Sequence, residues 1–264
     1  MLPALPSVSI VIPGYNEAKR IEQSMNTLNA YLQSNPHICE VLWVIEKSTD
    51  NTLELAKKFG AQNSKFQVID NLVHRGKGYA VKSGMLKAKG DIVFFMDLDL
   101  STDLDAINNF LDQFIKYPEV DLVIGNRSEE KSLIQKSQKI HRVLMGKFFN
   151  LILRITGLTE FKDTQCGFKA FKNSTAFSLF KNQQTHGFSF DVEILLLSKL
   201  FNYRALSMPV KWTNSEESKV RLVHDSLGML LDIIKLKINI AFSSKIKCLK
   251  NKPIQSKVVT ITND

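Results

Sequence analysis

Apolar residues recur in two rhythms along the first half of the chain, and the rhythms alternate. Short runs rich in Val, Ile and Phe predict strands at Val8–Ile12, Glu40–Glu46, Phe66–Asp70, Asp91–Met96 and Leu122–Gly125. Between them the spacing turns helical. Ile21, Met25, Leu28 and Leu32 mark one face of a first helix. Asp50 or Asn51 can cap a second, which ends near Gly60. A third is predicted over Tyr79–Ala88. Leu104, Ile107, Leu111 and Phe114 mark a fourth, opened by a capping box of Thr102 and Asp105. Strand and helix in strict alternation, joined by short loops, call for a mostly parallel sheet covered on both faces.

Beyond Gly125 the pattern changes. A helix is predicted over Lys139–Gly157, a strand over Gly167–Phe171, a helix over Asp191–Phe201 and a strand over Arg204–Trp212. A last helix, Leu222–Phe242, has a broad apolar face interrupted by Asp225, Asp232, Lys235 and Asn239. Neither broad-faced helix offers ~20 uncharged residues, so neither reads as a membrane span. They pack on the sheet or on each other, or they touch a membrane surface.

The net charge of +9 is unevenly placed. Lys235, Lys237, Lys245, Lys247, Lys250, Lys252 and Lys257 lie in a stretch without Asp or Glu. Nucleic acid would favour basic residues interleaved with aromatics, and this stretch has only Phe242. A basic tail beside an apolar helix reads instead as a contact with anionic lipid, or as a solvated end. Three cysteines, Cys39, Cys166 and Cys248, without CxxC spacing suggest neither a disulfide framework nor a zinc site. The chain divides into residues 1–220, an α/β domain, and 221–264, an amphipathic helix with a basic tail.

Chemistry concentrates where strands end. The run Ile92–Met96 leads into Asp97-Leu98-Asp99, two carboxylates one residue apart at a carboxyl strand end, where open α/β sheets bind ligands. Such a pair suits Mg²⁺ or Mn²⁺ with positions left for phosphate oxygens, or else is a pair of solvated loop aspartates. His74-Arg75-Gly76-Lys77-Gly78 is a basic loop between strand and helix, suited to pyrophosphate. Pro13-Gly14-Tyr15-Asn16-Glu17 stands where a dinucleotide fold would carry GxGxxG, and no Walker loop is present.

Taken in order, Ile12-Pro13-Gly14-Tyr15-Asn16-Glu17, Glu46, Arg75-Gly76-Lys77-Gly78 and Asp97-Leu98-Asp99 resemble the GT-A glycosyltransferases of family 2. Asp163-Thr164-Gln165-Cys166-Gly167-Phe168-Lys169, Phe190-Asp191-Val192-Glu193 and Pro209-Val210-Lys211-Trp212 with Ser218-Lys219-Val220 are similar to the polyprenyl-phosphate sugar transferases, the dolichyl-phosphate β-glucosyltransferases above all. The resemblance spans Val8 to Val220. It departs at Ile45-Glu46-Lys47-Ser48, where the family usually has Asp-Asp-Gly-Ser, and at Tyr79, where relatives often have Gly.

The resemblance implies an inverting enzyme that moves a hexose from a nucleotide sugar, UDP-glucose, to a polyprenyl phosphate. The alternatives are a GDP-mannose donor and a non-catalytic membrane-associated protein that keeps the fold. Pro13, Tyr15, Glu17, Glu46 and Lys77 would bind the nucleotide sugar. Asp97, Asp99 and Ser101 would hold Mg²⁺ or Mn²⁺. Arg127, Arg142, Lys169, Asp191 and Lys219 would take the lipid phosphate or donor diphosphate, and Asp97, Asp99 and Arg127 would carry the reaction. The implied location is cytoplasmic, peripheral to a membrane, with no nucleic-acid partner.

Overall fold

The computed structural model describes residues 5–127, 134–136, 159–213, 222–242 and 259–260, with 146, 151, 153 and 157. Five strands follow the predicted order: β1 (Val8–Gly14), β2 (Ile38–Glu46), β3 (Phe66–Asn71), β4 (Ile92–Met96) and β5 (Leu122–Asn126). They alternate with α1 (Ile21–Ser34), α2 (Thr52–Gly60), α3 (Lys77–Met85) and α4 (Ala106–Lys116). Then come β6 (Ile134–Lys136), β7 (Phe168–Lys172), α5 (Asn173–Asn182), α6 (Phe190–Leu200), β8 (Ala205–Pro209), β9 (Trp212–Thr213), α7 (Leu222–Phe242) and β10 (Val259–Thr260). The helix predicted over Lys139–Gly157, and with it Arg142, lies largely outside the described residues. So do Lys219 and the basic tail beyond Phe242.

The main sheet has the order β10-β8-β5-β7-β4-β1-β2-β3, and β6 pairs with β9 in a small second sheet. Every pairing is parallel except those of β7, which runs antiparallel to both β4 and β5. The sheet is buried on both faces, as its near-continuous apolar strands require. Ile10, Ile12, Trp43, Phe94 and Phe168 point to one side, where Met25, Leu28, Ile107 and Phe110 of α1 and α4 cover them. Val11, Leu42, Val44, Phe95 and Phe171 point to the other, under residues of α3, α5 and α6. Val192 and Leu196 of α6 meet Met229, Ile233 and Leu236 of α7 in a third cluster.

Two details of this frame position the site. Chain order reverses at β1, with β2 and β3 on one side and β4 on the other, which opens a crevice at the carboxyl ends of β1 and β4. Antiparallel β7 starts beside the end of β4, with Phe168 opposite Met96. That register carries the preceding turn, Thr164 to Gly167, into the same crevice.

The capping box does not form. Thr102 bridges to Trp212, Thr213 N–H donates to the Ser101 carbonyl at 2.8 Å, and Asp103 N–H to that of Lys211 at 3.2 Å. This pairing fixes residues 101–103 in extended backbone, so the helix starts only at Ala106. Asp50 does act at the start of α2, its Oδ1 accepting the Thr52 N–H at 3.0 Å.

Candidate active site

The loop after β1 is tied to the loop after β2. Asn16, at φ 52°, donates its N–H to Ser48 Oγ (3.0 Å) and accepts the Thr49 N–H on Oδ1 (2.8 Å). Asn tolerates this left-handed backbone better than most residues. Glu17 N–H donates to Thr52 Oγ1 at 2.6 Å, and its carboxylate pairs with Arg20. These bonds set Tyr15 flat against the His74 ring, with centroids 3.9 Å apart and planes 10° from parallel. Pro13 stays in β1, opposite Val44.

The basic loop sits across this crevice. Gly76 has φ 115°, and a Cβ there would lie 2.8 Å from the His186 carbonyl oxygen, so only glycine fits. Lys77 then begins α3, and its Nζ lies 2.7 Å from Asp97 Oδ1 and 5.2 Å from the centre of the Phe95 ring. Burial opposes the Lys77 charge, but Asp97, Asp191 and Asp99 outweigh it and raise its pKa.

Asp97 follows β4 directly and is seated on Gly167. Its N–H donates to the Gly167 carbonyl at 3.1 Å, and a Cβ at position 167 would stand 1.9 Å from its Oδ2. Asp99 lies two residues on, its Oδ1 accepting the Ser101 N–H at 3.0 Å. Burial and the nearby Asp97 raise the Asp99 pKa above the usual carboxylate range, against the pull of Ser101 and Arg20. Two crowded carboxylates with a hydroxyl at hand fit a hard divalent cation, which would relieve their repulsion. Among the described residues, no group of three His, Cys, Asp or Glu forms a complete metal site. A cation here would take its remaining ligands from substrate and water, as Mg²⁺ commonly does.

Two buried ion pairs flank the aspartates. Arg127, just past β5, grips Asp163 in a fork: Nε to Oδ2 at 2.7 Å and Nη2 to Oδ1 at 2.9 Å. Its guanidinium also lies 5.5 Å from the Trp212 ring centre. Burial would raise the Asp163 pKa, but Arg127 overrides it and holds the carboxyl below its ordinary value. Lys169 on β7 donates to Asp191 on α6 and to the Cys166 carbonyl at 2.6 Å. Burial, with Asp97 adding to it, holds the Asp191 pKa high despite Lys169 and Lys77. The Cys166 thiol is pushed up to about 12 by burial, so it is an inert packing group.

The structure thus brings Tyr15, Glu17, Lys77, Asp97, Asp99, Ser101 and Arg127 to the strand ends around one crevice. Two expectations change. Lys169 is 1% exposed, and its bonds run inward, so it props Asp191 instead of offering its charge to an acceptor phosphate. Glu46 is 2% exposed, and its oxygens are taken by the 74–76 loop, so it presents no free carboxylate to a nucleotide base. Three residues gain a part that motif reading did not give them. Asp163 holds Arg127, Gly167 seats Asp97, and His74 stacks on Tyr15. The first two lie inside the Asp163–Lys169 motif. For His74 the only signal was its place beside the basic loop.

The seat under Asp97 gives a direct expectation. Gly167→Ala should leave the fold intact but push the Asp97 carboxylate off Lys77. If Asp97 serves the reaction, a displacement of this kind, near 1 Å, should lower turnover by about 10²-fold. Steady-state kinetics beside a thermal melt would check it. A variant as active as the original would show that the position of Asp97 is unimportant.

Residues 9–177 match Glycosyl transferase family 2, and the chain belongs to that family. It is a glycosyltransferase with the GT-A α/β fold. The dolichyl-phosphate beta-glucosyltransferase of Saccharomyces cerevisiae is 30% identical over 248 residues, covering 88% of this chain and 74% of that protein. The Homo sapiens enzyme of the same name is 28% identical over 244 residues, covering 88% and 75%. Among solved structures, mannosyl-3-phosphoglycerate synthase from Rubrobacter xylanophilus superposes with a TM-score of 0.66 at 17% identity, covering 90% of this chain and 76% of that one. Glucosyl-3-phosphoglycerate synthase from Mycobacterium tuberculosis, in complex with Mn²⁺, UDP and glucosyl-3-phosphoglycerate, gives 0.59 at 19% identity, covering 89% and 79%. These likenesses bear on the fold.

Proposed function

We propose that the protein transfers glucose from UDP-glucose to dolichyl or a related polyprenyl phosphate, with inversion at C1. The observation that carries this reading is the Asp97–Lys77 contact beside Asp99 at the carboxyl end of β4. The names of the curated relatives supply the sugar and the acceptor class. Asp97, Asp99 and the Ser101 hydroxyl would hold Mg²⁺ or Mn²⁺. When bound, the cation neutralises charge on the departing diphosphate.

The protein's own residues then orient and neutralise. Lys77 places a cation against the donor diphosphate. Arg127 has one edge bound to Asp163, which fixes the direction in which its remaining N–H groups point. The acceptor is a phosphate monoester, mostly ionised at neutral pH because its second pKa is about 6. Its oxygen is already nucleophilic and needs positioning against C1, with no side chain to deprotonate it. The engagement of Asp191 with Lys169 suits a supporting role and not that of a general base. The test is turnover of labelled UDP-glucose, UDP-galactose and GDP-mannose with dolichyl phosphate. Product from UDP-glucose in the β configuration supports the reading, and a preference for GDP-mannose or no turnover at all defeats it.

A lipid acceptor brings the enzyme to a membrane, since withdrawing a polyprenyl chain costs ~0.8 kcal/mol per exposed CH₂. Among the described residues no helix is long and apolar enough to cross one. The two-sided character of α7 supports a surface contact. Met229, Ile233 and Leu236 pack inward, while Leu231, Ile234 and Ile238 form an outward stripe at 58%, 48% and 52% exposure. Lys235 and Lys237 are exposed beside it and suit anionic headgroups, at ~1 kcal/mol each. Substitutions on the stripe test this contact while leaving Ile233 and Leu236 in the core. Changing Leu231, Ile234 and Ile238 together to serine should abolish most flotation with anionic vesicles at an unchanged melting temperature. Flotation equal to the parent protein would rule the stripe out.

A further inference from the structure

Glu46 ends β2, and two backbone N–H groups and the His74 ring converge on its buried carboxylate. Oε1 accepts the N–H groups of Arg75 and Gly76, each at 3.0 Å. Oε2 accepts the Gly76 N–H at 3.0 Å and lies 2.6 Å from His74 Nδ1. A carboxylate has about four acceptor positions, and three groups engage them here, with the Gly76 N–H shared between the two oxygens. Bonds from backbone N–H to an ionised oxygen in a dry setting are the strong kind.

The opposite side of the same loop is held too. Tyr79 N–H donates to the His186 carbonyl at 3.0 Å. A Cβ on Gly78 would lie 2.7 Å from Phe190 Cβ and 2.8 Å from the Gly187 carbonyl oxygen. The 184–185 segment leading into that wall is itself fixed by a buried carboxylate, since Glu193 accepts the N–H groups of Gln184 and Thr185, each at 2.7 Å. The loop is therefore clamped between Glu46 and residues 186–190. The next residue is Lys77, whose Nζ reaches Asp97. The N–H groups of Arg75 and Gly76, which a strand-to-helix loop could have turned toward a phosphate, are spent on Glu46. What this loop offers the crevice is the lysine.

We propose that Glu46 is a positioning residue for the transfer reaction: it latches the 74–76 loop and so holds Lys77 on Asp97, and it does not read the nucleotide base. The proposal rests on the reading that Lys77 and Asp97 receive the donor diphosphate.

Glu46→Gln would set an amide N–H₂ against donors, and Glu46→Asp would shorten the reach by one methylene. Both should lower kcat/KM for UDP-glucose, the glutamine variant by about 10²-fold, as misplacement of a positioning group does. Because Glu46 acts through Lys77, Glu46→Gln should add little in a Lys77→Ala background. The ratio of UDP to GDP as inhibitors should stay as in the parent protein, since no base contact is lost. Multiplying effects of Glu46→Gln and Lys77→Ala, or an inhibitor ratio that moves toward GDP, would overturn the proposal in favour of base reading. Amide hydrogen exchange on the unaltered, ligand-free protein is independent of whether the variants fold. The Arg75 and Gly76 amides should exchange slowly, and exchange at the rate of an unstructured loop would overturn the latch. That measurement needs no substrate. A failure of the functional reading appears separately, as no turnover of any nucleotide sugar by the parent protein.

Discussion

Asp99→Ala should give a folded protein with turnover lower by about 10³-fold, and excess chelator should do the same to the parent protein. A divalent cation on phosphoryl oxygens contributes several kcal/mol to the transition state, and about 4 kcal/mol corresponds to about 10³-fold in rate. The fold should not suffer. The Asp99 carboxylate is disfavoured where it stands, its pKa raised by burial and by Asp97, so removing it relieves repulsion. Kinetics with Mg²⁺ and Mn²⁺ added back, beside a melting curve, decide the matter. Full activity in excess chelator would exclude a metal role for the pair. Asp97 is the less clean substitution, because Lys77 would lose its partner at the same time.

Arg127→Ala should act first on stability. It strands Asp163, which is buried and held below its ordinary pKa by the guanidinium. Breaking a buried pair by removing one partner costs about 3–5 kcal/mol. The pH dependence follows from the sign of the shift. The folded pKa of Asp163 lies below its unfolded value. Its contribution is therefore fully present above the unfolded pKa of 3.8 and is lost as the pH falls through the folded value. In Arg127→Ala the unpaired carboxylate is costly only while ionised, so the gap to the parent protein should narrow on acidification. Removing both partners, as Arg127→Ala with Asp163→Ala, should recover part of the loss. Denaturant melts across a pH series would test this, and an Arg127→Ala protein as stable as its parent would dismiss the pair as a structural element. Any effect of Arg127 on acceptor use must be measured under conditions where the variant is folded.

The first five strands and their helices were legible because period and punctuation agree there. Val8, Ile10 and Ile12 sit between Pro6 and Pro13, and helical spacing resumes within a few residues. The position of Asp97 and Asp99 at a carboxyl strand end was legible for the same reason, since the apolar run before them marks β4. The direction of β7 was not, because an alternating pattern reads the same in both directions. Lys169 could have been placed better. Phe168 and Ala170 face one layer and Phe171 the other, so the lysine shares a buried face with Phe171. The Thr102 cap failed because a local signal competes with a distant one. Residues 101–103 pair with 211–213, about a hundred positions away, and a capping motif contains no information about that partner. The Arg127–Asp163 fork, 36 residues apart, was hidden in the same way.

The placement of β7 also bears on how the chain becomes a domain. β4 has β7 as its outer neighbour, and among the described strands β5 bonds to β7 and β8 alone. Until β7 has left the ribosome, the strand that leads into Asp97 has an open edge and β5 lacks both of its neighbours among the described strands. Open edges invite pairing with other chains, and partners distant in sequence assemble slowly. Synthesis of Phe168–Lys172 closes both gaps in one step. The nascent protein therefore depends on late residues to protect an early strand, and shielding by a chaperone would matter most in that interval.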